Sequence, residues 1–281
     1  MRFGKFGKLN PDLTTEIKPI DLVDTTVFKR LDYLLEYLLN EDPEIHQSFV
    51  EKMKQKLQTL VKDEHFENKA VNLGELTRKY SHLKEQQELV RLHFNFSMQL
   101  LQISGEQLEE DTAIIPNRNY WRIFVPRYYQ ALVLSEIIGK EKTINLLKEF
   151  IDQYIFSVRF SIEKFNDLEA LRSSHIKETH EGPGWVSVFS EVEDGEYIIR
   201  NENCLLVEAL DDLEDKELVY VICCHGDFRY AEMQNEHFVL TRHYTIAEGD
   251  PYCDKVFHDT RIDKKITHPS KEFLDNIWPR A

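Results

Sequence analysis

Residues 181–200 read EGPGWVSVFSEVEDGEYIIR, and the change of texture inside this stretch decides the fold class. Glu181-Gly182-Pro183-Gly184 is the most turn-prone tetrapeptide in the chain, and beyond it the apolar period becomes two. Val186 and Val188 alternate with serines, Asp194-Gly195 is a favoured two-residue hairpin turn, and Tyr197 to Arg200 returns as the partner strand. The boundary between a helical half and a strand-bearing half falls here.

Upstream, apolar residues recur at three- and four-residue steps. Val27 to Leu39 carries one helical stripe, and Asp42-Pro43 restarts the chain as N-cap and first helical residue of a second helix that runs to about Asp63. A third, longer helix is expected over Glu75 to Ile103, with Gly105 just past its end as a left-handed residue and Glu106 to Thr112 as a loop. Gly139 separates Tyr128–Ile138 from a helix over Lys142 to about Phe165, a helical hairpin. Trp121 and the Tyr128-Tyr129 pair read as core aromatics.

Downstream, Phe238, Leu240, Arg242, Tyr244 and Ile246 face one way. Gly249-Asp250-Pro251 turns the chain, and Cys253 to Phe257 comes back as a second hairpin. Between the hairpins, Cys204 to Leu210 reads as a short helix capped by Asn203, while Leu218 to Cys224 suits strand or helix. The expected fold is α+β: a helical region over 1–180, and over 181–281 an antiparallel sheet of about four strands with short helices and the cysteines, forming one compact unit with the last helices before it.

The composition, 42% hydrophobic and 30% charged over 281 residues, is that of a globular protein with an ample core. A net charge of -15 spread along the chain opposes phosphate, so nucleic acid is excluded as a partner. No apolar run of membrane length and no signal-peptide pattern occur, which makes the expected protein soluble and without a membrane partner. Four cysteines, two of them adjacent, do not form a disulfide framework and read as reduced thiols in a cytoplasmic protein. Nothing in the sequence reads the oligomeric state.

Three thiols sit at element ends: Cys204 at a helix start, Cys224 before His225-Gly226-Asp227, and Cys253 after the turn. A thiol at a helix N-terminus feels the unpaired amides, which favour thiolate, so Cys204 is a candidate for that effect. In Cys224-His225-Gly226-Asp227 the glycine permits a tight turn that would aim a thiol, an imidazole and a carboxylate into one pocket for general acid and base duty. Cys253 and Asp254 point to opposite faces of a strand, so only one of them can reach that pocket. Arg242 is either a buried ion-pair partner or a clamp for a carboxylate ligand. Core packing is the competing reading for each thiol, and surface placement for His237, His243 and His258. The cysteines lack C-x₂-C spacing, so no metal site and no cofactor is assigned; convergence of scattered cysteines with His225 or His243 on a structural zinc is the alternative left open. Phosphate loops, G-x-S-x-G and H-E-x-x-H are absent.

The segments Val125-Pro126-Arg127-Tyr128-Tyr129-Gln130-Ala131-Leu132, Gly139, Asn203-Cys204, Cys224-His225-Gly226-Asp227 and the run Arg242 to Asp254 resemble the L-2-amino-thiazoline-4-carboxylic acid hydrolase-like family, itself similar to the small-molecule-sensing domains named after vinyl reductase. Members of that family continue from the Cys-Asp pair with an aromatic and an arginine, where this chain has Lys255 and Val256. The resemblance implies a small-molecule substrate, a carboxylate-bearing cyclic amidine or thiazoline-type ring: water adds to the carbon between nitrogen and sulfur, and the sulfur leaves. It implies Asp227 as general base, Cys224 or Cys253 as nucleophile or acid partner, and Arg242 as carboxylate clamp, with Asp254, Cys204 and His225 in the ligand-binding set. A non-catalytic binding or sensing domain and an interaction protein with packed cysteines stay open beside the hydrolase.

Overall fold

A computed structural model describes residues 1–62, 71–182 and 184–277. Asp63, the expected end of the second helix, and Pro183 of the turn tetrapeptide lie outside the described residues. The chain forms two compact units: Thr14–Phe150, and Met1–Leu13 with Ile151–Ala281. The boundary at Phe150 and Ile151 falls within the helix Lys140–Ser157. Seven strands occur among the described residues: β1 (Phe3–Gly7), β2 (Thr14–Ile17), β3 (Ala113–Pro116), β4 (Trp185–Ser190), β5 (Glu196–Cys204), β6 (Phe238–Thr241) and β7 (Cys253–Asp259).

The unit Thr14–Phe150 is helical, with the antiparallel pair β2 and β3. A π-helical turn, Asp24–Phe28, leads into the helix Lys29–Glu41, which buries Leu31, Leu34, Leu35 and Leu38 as the periodicity requires. Asp42 caps Pro43–Leu60 as expected, its carboxylate accepting from the Glu44 and Ile45 amides. The helix expected over Glu75 to Ile103 is instead two, Leu73–Thr77 and Gln87–Leu101. Tertiary hydrogen bonds break it: Asp32 accepts from the amides of His82 at 2.7 Å and Leu83 at 2.9 Å, and Asp24 accepts from Tyr80 and Lys79. The left-handed residue ending Gln87–Leu101 is Gln102, and Gly105 opens a short helix, Gly105–Glu109, behind a Ser104–Gln107 capping box. Gly139 ends Val125–Ile138 with positive φ, and Lys140–Ser157 stops eight residues short of Phe165.

The other unit is built on one antiparallel sheet in the order β1-β4-β5-β7-β6. Its fifth strand, β1, comes from the N-terminus, where Phe3-Gly4-Lys5-Phe6-Gly7 pairs with β4 from Phe3↔Ser190 to Gly7↔Val186. Five residues with two glycines carry little periodic signal, and the strand is held by its backbone pairing together with Phe6 packed near Phe189 and Phe3 near Phe273. The first hairpin forms as read: Asp194 and Gly195 both have positive φ, the requirement of the two-residue turn whose twist matches the strands. β6 ends at Thr241 rather than Ile246, because the residues after it form a loop with bonds of its own. Both sheet faces are covered. One packs Phe189, Tyr197, Ile199 and Phe257 against Leu168 and Leu171 of the helix Leu168–Glu181, which had no counterpart in the sequence reading. The other packs Val188, Ile198 and Val256 against Leu274 and Ile277.

Candidate functional site

The helices Lys216–Cys223 and Gly226–Gln234 bring Cys224, His225 and Asp227 to the sheet. Asp215 caps the first, its carboxylate accepting from the Leu218 amide, which settles the ambiguous Leu218–Cys224 segment as helix. Gly226 serves close approach rather than a tight turn: it begins the second helix, and a Cβ there would lie 2.9 Å from Ile155 Cδ1 and 3.3 Å from Ile151 Cγ2. Asp227 follows in the first turn, where an anion is favoured.

Asp227 meets two cations. Arg242 Nη2 donates to Asp227 Oδ2, and Lys255 Nζ lies 2.8 Å from the same oxygen. Burial pushes the Asp227 carboxyl up, but Lys255 and Arg242 outweigh it and hold the group far below the usual carboxylate range. Arg242 is 2% exposed in its side chain; its Nη1 also donates to the Cys224 carbonyl at 3.0 Å and its Nε to the Asp254 carbonyl at 3.3 Å. The expected arginine is thus held inside the protein by a carboxylate and two carbonyls.

A cavity of about 290 Å³ opens beside this group, between the sheet and the helices Leu168–Glu181 and Gly226–Gln234. Phe189, Ile199, Phe257 and Trp185 supply apolar wall, and Asp227, Lys255, Asn201, Ser187, His175 and Glu178 supply polar atoms. Of the seven expected site residues, only Asp227 lines it. Ser187 Oγ donates to Asn201 Oδ1 at 2.7 Å. Burial pushes the His175 imidazole down to about 4, helped by Lys255 and opposed by Asp227, so it is neutral at neutral pH. Its Nδ1 is buried with no hydrogen-bond partner among the described residues. Burial and Glu163 push the Glu178 carboxyl up, against Ser174 and Lys255.

None of the four cysteines is in a disulfide. Burial raises Cys204, Cys224 and Cys253, the last to about 11, so each is protonated at neutral pH. Cys204 ends β5 and precedes a helix of only four residues, Leu205–Glu208. Asn203, expected as its cap, accepts instead from the Val186 amide across the sheet. His225 Nε2 lies 3.5 Å from Asp152 Oδ1, outside the cavity lining.

The run Arg242 to Asp254 is a self-bonded loop. Thr245 Oγ1 donates to Glu248 Oε2 and accepts from the Glu248 amide, Asp250 Oδ2 accepts from the Thr245 amide, and Cys253 Sγ accepts from the Ile246 amide. Gly249 has φ 100°, a conformation side chains resist. Asp254 closes the loop from the face opposite Lys255: its carboxylate takes the amides of His243 and Tyr244 and pairs with His268, whose Nδ1 lies 2.9 Å from Thr241 Oγ1. Asp254 is therefore not brought to the cavity. His258, read as a surface residue, is buried, its Nε2 3.1 Å from the same Thr241 hydroxyl. Among the described residues no group of three or more His, Cys, Asp or Glu side chains is arranged to hold a metal ion.

Residues 117–257 match the sequence model of the L-2-amino-thiazoline-4-carboxylic acid hydrolase family. The chain belongs to that family. No curated protein and no solved structure matches it. The family match begins eight residues before Val125 and ends at Phe257, so it spans every segment on which the resemblance rested. No helix of the described residues is long and apolar enough to cross a membrane.

Sequence reasoning missed His175, Glu178, Asn201 and Ser187, and noticed Lys255 only as a departure from the family pattern. The helix bearing His175 and Glu178 has a weak apolar stripe, so nothing in its periodicity marks one face. Ser187, Asn201 and Lys255 share a face only through the pairings Ser187↔Asn201 and Ile199↔Lys255, and that register is not written in any one strand.

Proposed function

We propose that this chain hydrolyses a small carboxylate-bearing cyclic amidine or thiazoline-type ring in the cavity beside Asp227. The observation that supports this most is the pairing of two unlike carboxylates in one cavity of a hydrolase-family chain. Asp227 is kept ionised by two cations, while Glu178 has its pKa raised. Groups pushed apart in this way are suited to separate roles. At about 290 Å³ the space equals roughly ten water molecules at about 30 Å³ each, enough for a five-membered ring with its substituents and an attacking water.

In this reading Glu178 takes a proton as water adds to the ring carbon between nitrogen and sulfur. The carbon–sulfur bond then breaks, the sulfur leaves as a thiol with that proton, and the added hydroxyl gives its remaining proton to the ring nitrogen, so that the ring carbon becomes a urea carbonyl. Asp227 is too weakly basic for the proton step and instead fixes Lys255 and Arg242. Cys224 and Cys253, protonated at neutral pH and outside the cavity lining, act as packing behind Asp227 rather than as nucleophiles.

Incubation with 2-amino-thiazoline-4-carboxylic acid, followed by mass spectrometry, tests this. The expected product is heavier by one water and carries a free thiol. The variant Glu178→Gln should lose about 10²-fold or more in rate, the usual contribution of a positioned acid or base. Wild-type activity should fall below the raised Glu178 pKa, where the base is protonated. Binding without any gain of water would sink the hydrolase and leave a ligand-binding domain.

A further inference from the structure

Lys255 lines the cavity, and its charge reaches groups inside and outside the lining. It acts on His175, Glu178, Asp227, Cys204 and Cys253 alike. Its ammonium is bound to Asp227 Oδ2 at 2.8 Å, yet the side chain stays 24% exposed and lines the cavity. An ammonium has three donors, so one bond to Asp227 leaves capacity for a second acceptor. Arg242 balances Asp227 on the buried side, so Lys255 brings a second positive charge to a single carboxylate. Around Asp227 itself the cations therefore outnumber the carboxylate by one, in a chain whose net charge is -15.

Asn201 adds a neutral donor. The Ser187 hydroxyl donates to Asn201 Oδ1, and the amide NH₂ is the group Asn201 has to offer a ligand. Asn201 and Lys255 lie on neighbouring strands, Asn201 pairing with Cys253 and Ile199 with Lys255, and both line the cavity.

We infer that Lys255, assisted by the Asn201 amide, is the residue that holds the ligand's carboxylate and sets the preference for anionic ligands, a role Arg242 does not fill. This rests on the ring-hydrolase reading only for the choice of ligand. The ring's amidine end then lies toward His175 and Glu178, the groups on the opposite wall.

The test compares 2-amino-thiazoline-4-carboxylic acid with 2-amino-thiazoline, which lacks the carboxylate, by calorimetric titration and by turnover in the same samples. Wild type is expected to favour the carboxylate about tenfold or more, as a charge-assisted contact provides. Lys255→Gln should erase that preference, and Lys255→Arg should retain it, which separates lost charge from disturbed folding. Asn201→Ala should reduce it partially. Preference unchanged in Lys255→Gln, or wild type binding both probes equally or neither, would overturn the inference. A preference for the carboxylate that depends on Lys255 but comes without ring opening would uphold it while removing the hydrolase reading.

Discussion

The two faces of β7 hold carboxylates by different means. On the cavity side, Asp227 is bound by the side chains of Arg242 and Lys255. On the other side, Asp254 is bound by two backbone amides and His268, and its side chain is wholly buried. The first arrangement leaves a cation facing a cavity, while the second leaves nothing facing solvent and shapes the loop that delivers Arg242. One carboxylate is open to a cavity and the other is closed into the fold.

Removing each carboxylate tests that contrast. Asp254→Ala removes a wholly buried carboxylate, strands its partners His268 and the His243 and Tyr244 amides, and is expected to cost about 3–5 kcal/mol, read as a loss of thermal stability. A loss under about 1 kcal/mol would mean that the loop holds itself without Asp254. Asp227→Ala leaves Arg242 its two carbonyl acceptors, and the Asp227 side chain is 34% exposed, so solvent screens part of the effect. Its expected cost is smaller, about 1.5–3 kcal/mol by denaturant titration. If it equals or exceeds that of Asp254→Ala, the cavity-side group is structural in the same sense as the other.

The smallest effect is in pH. Each face carries one histidine held near 4: His175 by burial and Lys255, and His258 by burial with His268 and Lys264. Both stay neutral in the folded protein between pH 6.5 and about 4 while the unfolded chain takes up protons. The unfolded state then binds more protons, so stability declines as pH falls, by at most about 1.4 kcal/mol per pH unit for each histidine. Below the ordinary carboxylate range, the stability lent by Asp227 and Asp254, whose folded values are depressed, is lost in turn. Equilibrium unfolding at several pH values should show a shallower slope in His175→Gln and in His258→Gln. An unchanged slope in either would show that its imidazole is already protonated when folded.

The fold was largely legible in the chain. Asp42-Pro43, Gly139 and Asp194-Gly195 each do locally what their chemistry allows, and the switch of period after Glu181 marks the sheet. What failed was long-range. The helix through 75–103 breaks because Asp24 and Asp32 capture residues some fifty positions away, and no periodicity encodes that. The candidate site was legible by family and by Asp227, but the Arg242–Asp254 run was informative for a reason other than chemistry: its threonine, aspartates and Cys253 hold a loop.

The sequence by itself determined the α+β class and the first hairpin, because turn geometry, capping and side-chain periodicity act over a few residues, and its motifs carried the resemblance to the family. Only the tertiary structure decided that Arg242 is enclosed, that Asp254 serves the far face, and that Lys255, Asn201, Glu178 and His175 share a cavity. Strand register and helix docking bring those groups together, and both depend on contacts between segments distant along the chain.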